Sequence, residues 1–270
     1  MGVGLVAVLT AVLAVAALAL AGAVAVLEHK SAPVPHLTAA SALACAALLA
    51  LAGSSLMQLG RPQLIFAAFS NPSSSIFRLG AAWVLAVIFS AAYLSAVHRA
   101  AFESTCRRLA LASAGACALV LAAHASSYVM AWRAAWNTWS IVLPFFGFAA
   151  LAATAAKGVI DSLEGHDFPR RQALAAAAFA VLAMALYLGV IGAAATPEST
   201  AARALTGDLA GLFWGAVIGV GLLVPSVLML VVRRGALMFA AAFAAVLAGS
   251  AGWQILVLKL GSAAWSFFAR

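Results

Sequence analysis

The chain has 270 residues, of which 66% are hydrophobic and 8% charged, with a net charge of +8 and a mean hydropathy of +1.12. Average chains carry about 25% charged residues, so this balance excludes a soluble globular domain. The basic residues are spread over many short connections and no binding motif accompanies them, which excludes a nucleic-acid partner.

Repeated apolar runs of about 20 residues predict an all-α, polytopic membrane bundle of about eight transmembrane helices. The whole chain, 1–270, reads as a single integral-membrane domain. The short alternating segments of a β-barrel are absent, and helices satisfy their own backbone polar groups in lipid. The first helix is predicted over 4–27. No Lys or Arg precedes it and its apolar run is too long for a signal peptide, so it reads as a retained span. Pro33 and Pro35 place a short turn over 31–36. The second helix is predicted over 37–58.

Residues 54–80 form the most specific polar link in the chain. They hold Gln58, Arg61 and Arg78, two prolines and a run of serines after Asn71. The third helix is predicted over 79–97. A charged connection follows over 99–108, with Glu103 and three arginines. The fourth helix, 109–131, carries His124 and Tyr128, whose spacing of four puts both on one face. His124 is the single histidine predicted deep inside a span. An ionisable side chain there marks a functional site, or else a neutral histidine hydrogen-bonded within the bundle. A b-type haem needs two axial ligands at matching depth, so no haem is expected.

Arg133, Trp136, Asn137 and Trp139 follow, either as an interfacial aromatic belt or as part of a site. The fifth helix is predicted over 140–157, with Pro144 in its first turns. The longest hydrophilic loop is predicted over 157–171, with Asp161, Glu164, His166 and Asp167 read as solvated rather than metal-binding. Cys45, Cys106 and Cys117 have no metal-ligand spacing and read as packing residues. No metal site is expected within the chain. The sixth helix is predicted over 172–194, and Asp208 as the N-cap of the seventh, 209–232. Gly211, Gly215 and Gly219 recur every four residues, a spacing that predicts close approach of another helix, and Pro225 predicts a kink. The eighth helix is predicted over 236–258. Loops one, three, five and seven hold nine Lys or Arg residues and the other side holds six. That excess predicts odd loops in the cytoplasm and both termini outside.

The residues Leu56-Met57-Gln58-Leu59-Gly60-Arg61-Pro62, an apolar segment, Asn71, serines and Ile76-Phe77-Arg78 resemble the second connection of the dimethyl sulfoxide reductase membrane-anchor family, which is related to polysulfide reductase and nitrite reductase membrane subunits. Tyr128, then Trp136-Asn137-Thr138 and a helix with Phe145, Phe146 and Gly147, resemble a second segment of that family. Gln58 stands where quinol-oxidising members usually carry histidine, and Leu79 where they usually carry glutamate. The resemblance implies a subunit in the bacterial cytoplasmic (inner) membrane that docks a four-cluster iron–sulfur subunit and a molybdopterin catalytic subunit, which hold all clusters and molybdopterin. It implies menaquinol oxidation feeding electrons to the iron–sulfur partner. The quinone-binding residues expected are Gln58, Arg61, Arg78, His124, Tyr128 and Asn137; Arg133 and Trp136 are expected to dock the partner. No catalytic residue is assigned beyond these. A small-molecule transporter or exporter, and a structural anchor that has lost quinol oxidation, remain alternatives.

Overall fold

The computed structural model describes residues 2–28, 34–58, 70–130, 135–193 and 200–262. The described residues form an all-α bundle in which eight helices are long and apolar enough to cross a membrane. These are α1 (Gly2–Glu28), α2 (Val34–Gln58), α3 (Ser75–His98), α4 (Glu103–Ser126), α5 (Val142–Leu163) and α6 (Arg170–Ala193), followed by the short α7 (Thr200–Leu205). A π-helical segment (Leu212–Leu223) runs directly into α8 (Val224–Val231), and α9 (Ala236–Ser262) closes the order. Most of these helices are apolar all round, as a helix surrounded by protein and lipid must be.

Helices α1 to α4 pack in a ring, and α5, α6, the π segment with α8, and α9 pack as a second group. The two groups meet where α1 lies against α5 and α9. Alanines make that seam possible. Ala11, Ala14, Ala17 and Ala19 of α1 and Ala152 and Ala155 of α5 are almost fully buried. Small side chains let helix backbones approach closely, and dispersion then holds them together in lipid.

Several helix ends differ from the sequence expectation, each for a local reason. Helix α2 begins at Val34 and takes Pro35 into its first turn, where the missing N–H has no intrahelical partner to lose. Helix α3 begins four residues earlier than expected because Ser74 caps it: its hydroxyl accepts the Phe77 N–H at 3.0 Å. Helix α4 begins at Glu103, so only 99–102 is a connection, and it ends at Ser126. Helix α5 runs six residues past Lys157. Lys157 and Asp161 therefore stand on one helix face as a buried ion pair, not in the solvated loop expected there. The connection beyond is pinned to the α8–α9 turn: Phe168 N–H donates to the Arg233 carbonyl at 3.1 Å, and Arg234 pairs with Asp167 at 2.7 Å. Asp208 does not cap a helix. The π segment's cap is Gly211, without a side-chain bond, and Asp208 instead binds Arg203, whose guanidinium holds its carboxyl below the usual range.

The seventh span corrects the glycine expectation. It is π-helical over twelve residues, and its change to α-helix falls at Pro225, where a kink was expected. In a π-helix the bonds run five residues back, as the Val224 N–H to Gly219 carbonyl bond does. Gly211 and Gly215 meet nothing, whereas Gly221 lies backbone to backbone against Gly249 of α9. Gly249→Ala is expected to destabilise the bundle by about 1–3 kcal/mol, while Gly215→Ala should be neutral or stabilising by up to ~1 kcal/mol. Thermal unfolding of the two purified variants checks this, and equal melting would contradict the packing.

Candidate functional site

The polar link that stands out in the sequence builds its far end from its own side chains. Asn71 Oδ1 accepts the Ser73 N–H at 3.1 Å and the Ser73 hydroxyl at 2.6 Å, an Asx turn. Ser74 then caps α3. Asn71 and the two serines thus fix where α3 starts relative to α2, and a cleft lies between the two helices.

The cleft has a volume of about 320 Å³, within the range of small-molecule sites. Its walls are Leu51, Ala52, Ser55 and Leu56 of α2, and Ser75, Ile76, Leu79, Gly80, Trp83 and Val84 of α3. Thr10 of α1 lies at its base, with His124 and Ser127 from α4. Leu56, Ile76 and Val84 of these walls are exposed apolar side chains. Two bonds hold the frame. Thr10 donates to the Ser54 hydroxyl at 3.0 Å, tying α1 to α2. The Trp83 indole donates to the Leu48 carbonyl at 2.7 Å, tying α3 to α2.

His124 is 3% exposed, and its Nε2 has no hydrogen-bond partner; the hydroxyl of Ser55, across the same cleft, has none either. A buried polar atom left unpaired costs about 1–3 kcal/mol, and both of these belong to side chains that line the same cleft. Aromatic edges fix the imidazole, with the Tyr128 ring centroid at 5.6 Å and the Phe145 centroid at 5.9 Å. Behind Tyr128 stands Gln254 of α9, fully buried, whose amide N–H donates to the Tyr128 hydroxyl at 2.6 Å. Its carbonyl oxygen, like the neighbouring Trp253 indole N–H, is unpartnered.

The structure brings His124 and Tyr128 together as the four-residue spacing predicts. It changes the setting of His124, which lies in the last turn of α4 and is buried by packing rather than by depth in a span. Trp136 is buried, its indole donating to the Val257 carbonyl at 2.8 Å and its ring lying on Gly261. It fixes the connection onto α9 instead of presenting a docking surface. Arg78 and Asn137 are exposed and line no part of the cleft. Arg61 and Arg133 lie outside the described residues, as does the side chain of Gln58, the last residue of α2. Sequence reasoning missed Thr10, Ser55 and Gln254. Gln254 had a legible signal, a neutral polar side chain inside an apolar span. Thr10 and Ser55 had none, because hydroxyls in membrane helices ordinarily bond their own backbone.

No family model, no curated protein and no solved structure matches the chain.

Proposed function

We propose that this chain is the membrane anchor of a molybdopterin oxidoreductase of the dimethyl sulfoxide reductase type, and that the α2–α3–α4 cleft holds the head group of menaquinol. One observation carries the reading: His124, a buried histidine whose Nε2 has no hydrogen-bond partner, lines a largely apolar cleft at the end of the bundle where the two family-like segments lie. The donor set suits the ligand. A quinol head group needs an apolar slot for its rings, a partner for each hydroxyl, and a sideways exit for its isoprenoid tail. Leu51, Leu79 and Trp83 supply the slot, His124 and Ser55 the partners, and the gap beside Leu56 and Ile76 the exit.

Bound menaquinol would supply two electrons, passing to the iron–sulfur partner, and two protons, released to water. His124 is the group suited to take a proton, since it supplies the one imidazole among the described residues that line the cleft. Tyr128 and Phe145 keep its ring oriented. Gln254 holds the Tyr128 hydroxyl in place through its amide N–H. The excess of basic residues on the odd loops puts the cleft at the outer face of a bacterial cytoplasmic membrane, and the partner docks at that end.

Purifying the tagged chain from native membranes tests this. Iron and molybdenum should co-purify, and a fluorescent quinol analogue should be quenched on binding. A metal-free chain that quenches no analogue would remove the anchor reading and favour a transporter. Metals without quenching would leave a structural anchor that has lost quinol oxidation.

A further inference from the structure

At the opposite end of the bundle α3 passes into α4 within four residues, 99–102. The turn is strained. Ala100 adopts a positive φ of 51°, a left-handed conformation that costs a residue with a Cβ about 1–2 kcal/mol. The Ala100 and Ala101 N–H groups close back on the Val97 and Ala96 carbonyls at 3.1 and 2.9 Å, and the Phe102 carbonyl accepts the Thr105 N–H at 2.9 Å to start α4. The result is a rigid corner from which the Phe102 side chain projects, 86% exposed.

Three exposed arginines lie close to Phe102 along the chain: Arg99 in the turn, and Arg107 and Arg108 just over one turn into α4. Among the described residues none of the three guanidinium groups is in an ion pair, whereas Arg234 is paired with Asp167 and Arg203 with Asp208. Glu103 is the one acid in the group. The patch therefore keeps a net positive charge beside an apolar ring, at the boundary where two spanning helices leave the membrane. A protein gains nothing in itself from holding a strained corner, an exposed phenyl ring and unneutralised guanidinium groups together. An anionic lipid surface satisfies all of these features: phosphates meet the arginines and the ring enters the edge of the acyl layer.

We infer that this corner is a binding site for an anionic phospholipid, with Arg99, Arg107 and Arg108 holding the head group and Phe102 inserted between head groups and chains. The inference is independent of the quinol reading, since it concerns the other end of the bundle.

Native mass spectrometry of the full chain, released from micelles doped with phosphatidylglycerol or with phosphatidylcholine of the same chains, reads it directly. The unaltered protein should retain phosphatidylglycerol preferentially. Each arginine changed to glutamine should weaken that retention about fivefold, the equivalent of ~1 kcal/mol per charge at an anionic surface. Phe102→Ser should weaken both lipids alike and leave the preference intact. The triple Arg→Lys variant should keep most of the preference, which separates lost charge from lost folding. Arg170→Gln with Arg171→Gln, on the same end of the bundle, should change nothing. A triple Arg→Gln variant that still prefers phosphatidylglycerol would overturn the site, as would an equal loss in the Arg170 and Arg171 control.

Discussion

Replacing His124 with leucine is expected to lower menaquinol-dependent reduction of the partner by about 100-fold or more, because it removes the one imidazole among the described residues that line the cleft and general acid–base catalysis contributes on that order. The same change should not lower the melting temperature. Leucine is apolar and fills the space, and it eliminates a buried nitrogen that has no partner in the ligand-free protein, so stability should hold or rise. Loss of activity without loss of stability is what a site residue shows and a core residue does not. Ser55→Ala should act mainly on quinol affinity, about fivefold, since one hydrogen bond is worth about 1 kcal/mol. Arg78→Ala should stay within about twofold, the exposed side chain lying outside the cleft; surface changes of this kind move free energies by less than about 0.5 kcal/mol. Steady-state rates with a quinol analogue, measured on the intact complex beside thermal unfolding, check all three. Wild-type rates in both His124→Leu and Ser55→Ala would empty the proposed cleft of its role.

The largest stability effect is expected at Lys157 and Asp161. The two side chains are 4% and 8% exposed and pair across one turn of α5, with the Phe168 ring 5.7 Å from the ammonium. Taking charges out of water is costly, and the pair survives only because each ion neutralises the other. Asp161→Ala leaves an ammonium buried without its counter-ion and should cost about 3–5 kcal/mol. Lys157→Met combined with Asp161→Leu should recover most of that, since apolar side chains of similar volume replace a buried pair at little cost. Unfolding of the single and double variants, followed by loss of helical signal, measures the difference. A single variant that melts like the unaltered protein would show the pair to be hydrated.

The number and order of the spans were legible because lipid imposes a length and an apolarity on every crossing segment, and neither depends on what the segment packs against. Helix ends were less so. A Lys four residues before an Asp looks like the start of a loop, yet one neutralises the other and the helix continues to Leu163. A proline at position 35 looks like a break, yet in a first turn it has no bond to lose. Ser74 was missed too: the helix was expected from 79, yet a serine ahead of an apolar run caps it as such residues do and starts it at Ser75.

The site was legible in part. His124 and Tyr128 are four residues apart on one chain segment, and local geometry alone makes them neighbours. Arg78 and Asn137 share the segments' sequence likeness but are exposed and line no part of the cleft: which face of α3 carries Arg78 depends on where that helix begins, and Asn137 lies in the turn ahead of α5. Ser55, Thr10 and Gln254 come from three helices, and no local pattern could bring them beside α4. The glycine pattern misled for a related reason: spacing says which glycines share a face but not which face meets a neighbour, and the packing glycine of the seventh span is Gly221.

Composition and apolar run length by themselves determined that this protein is a bundle of membrane-crossing helices, since burying backbone in lipid admits few solutions. Only the tertiary structure decided that α2, α3 and α4 splay around a cleft, that a nitrogen of His124 is left without a partner there, and that Phe102 is held out among arginines. The cleft is a relation between segments distant in sequence, set by which small residues allow two helices to touch and which keep them apart; the exposure of Phe102 follows from the left-handed turn at Ala100.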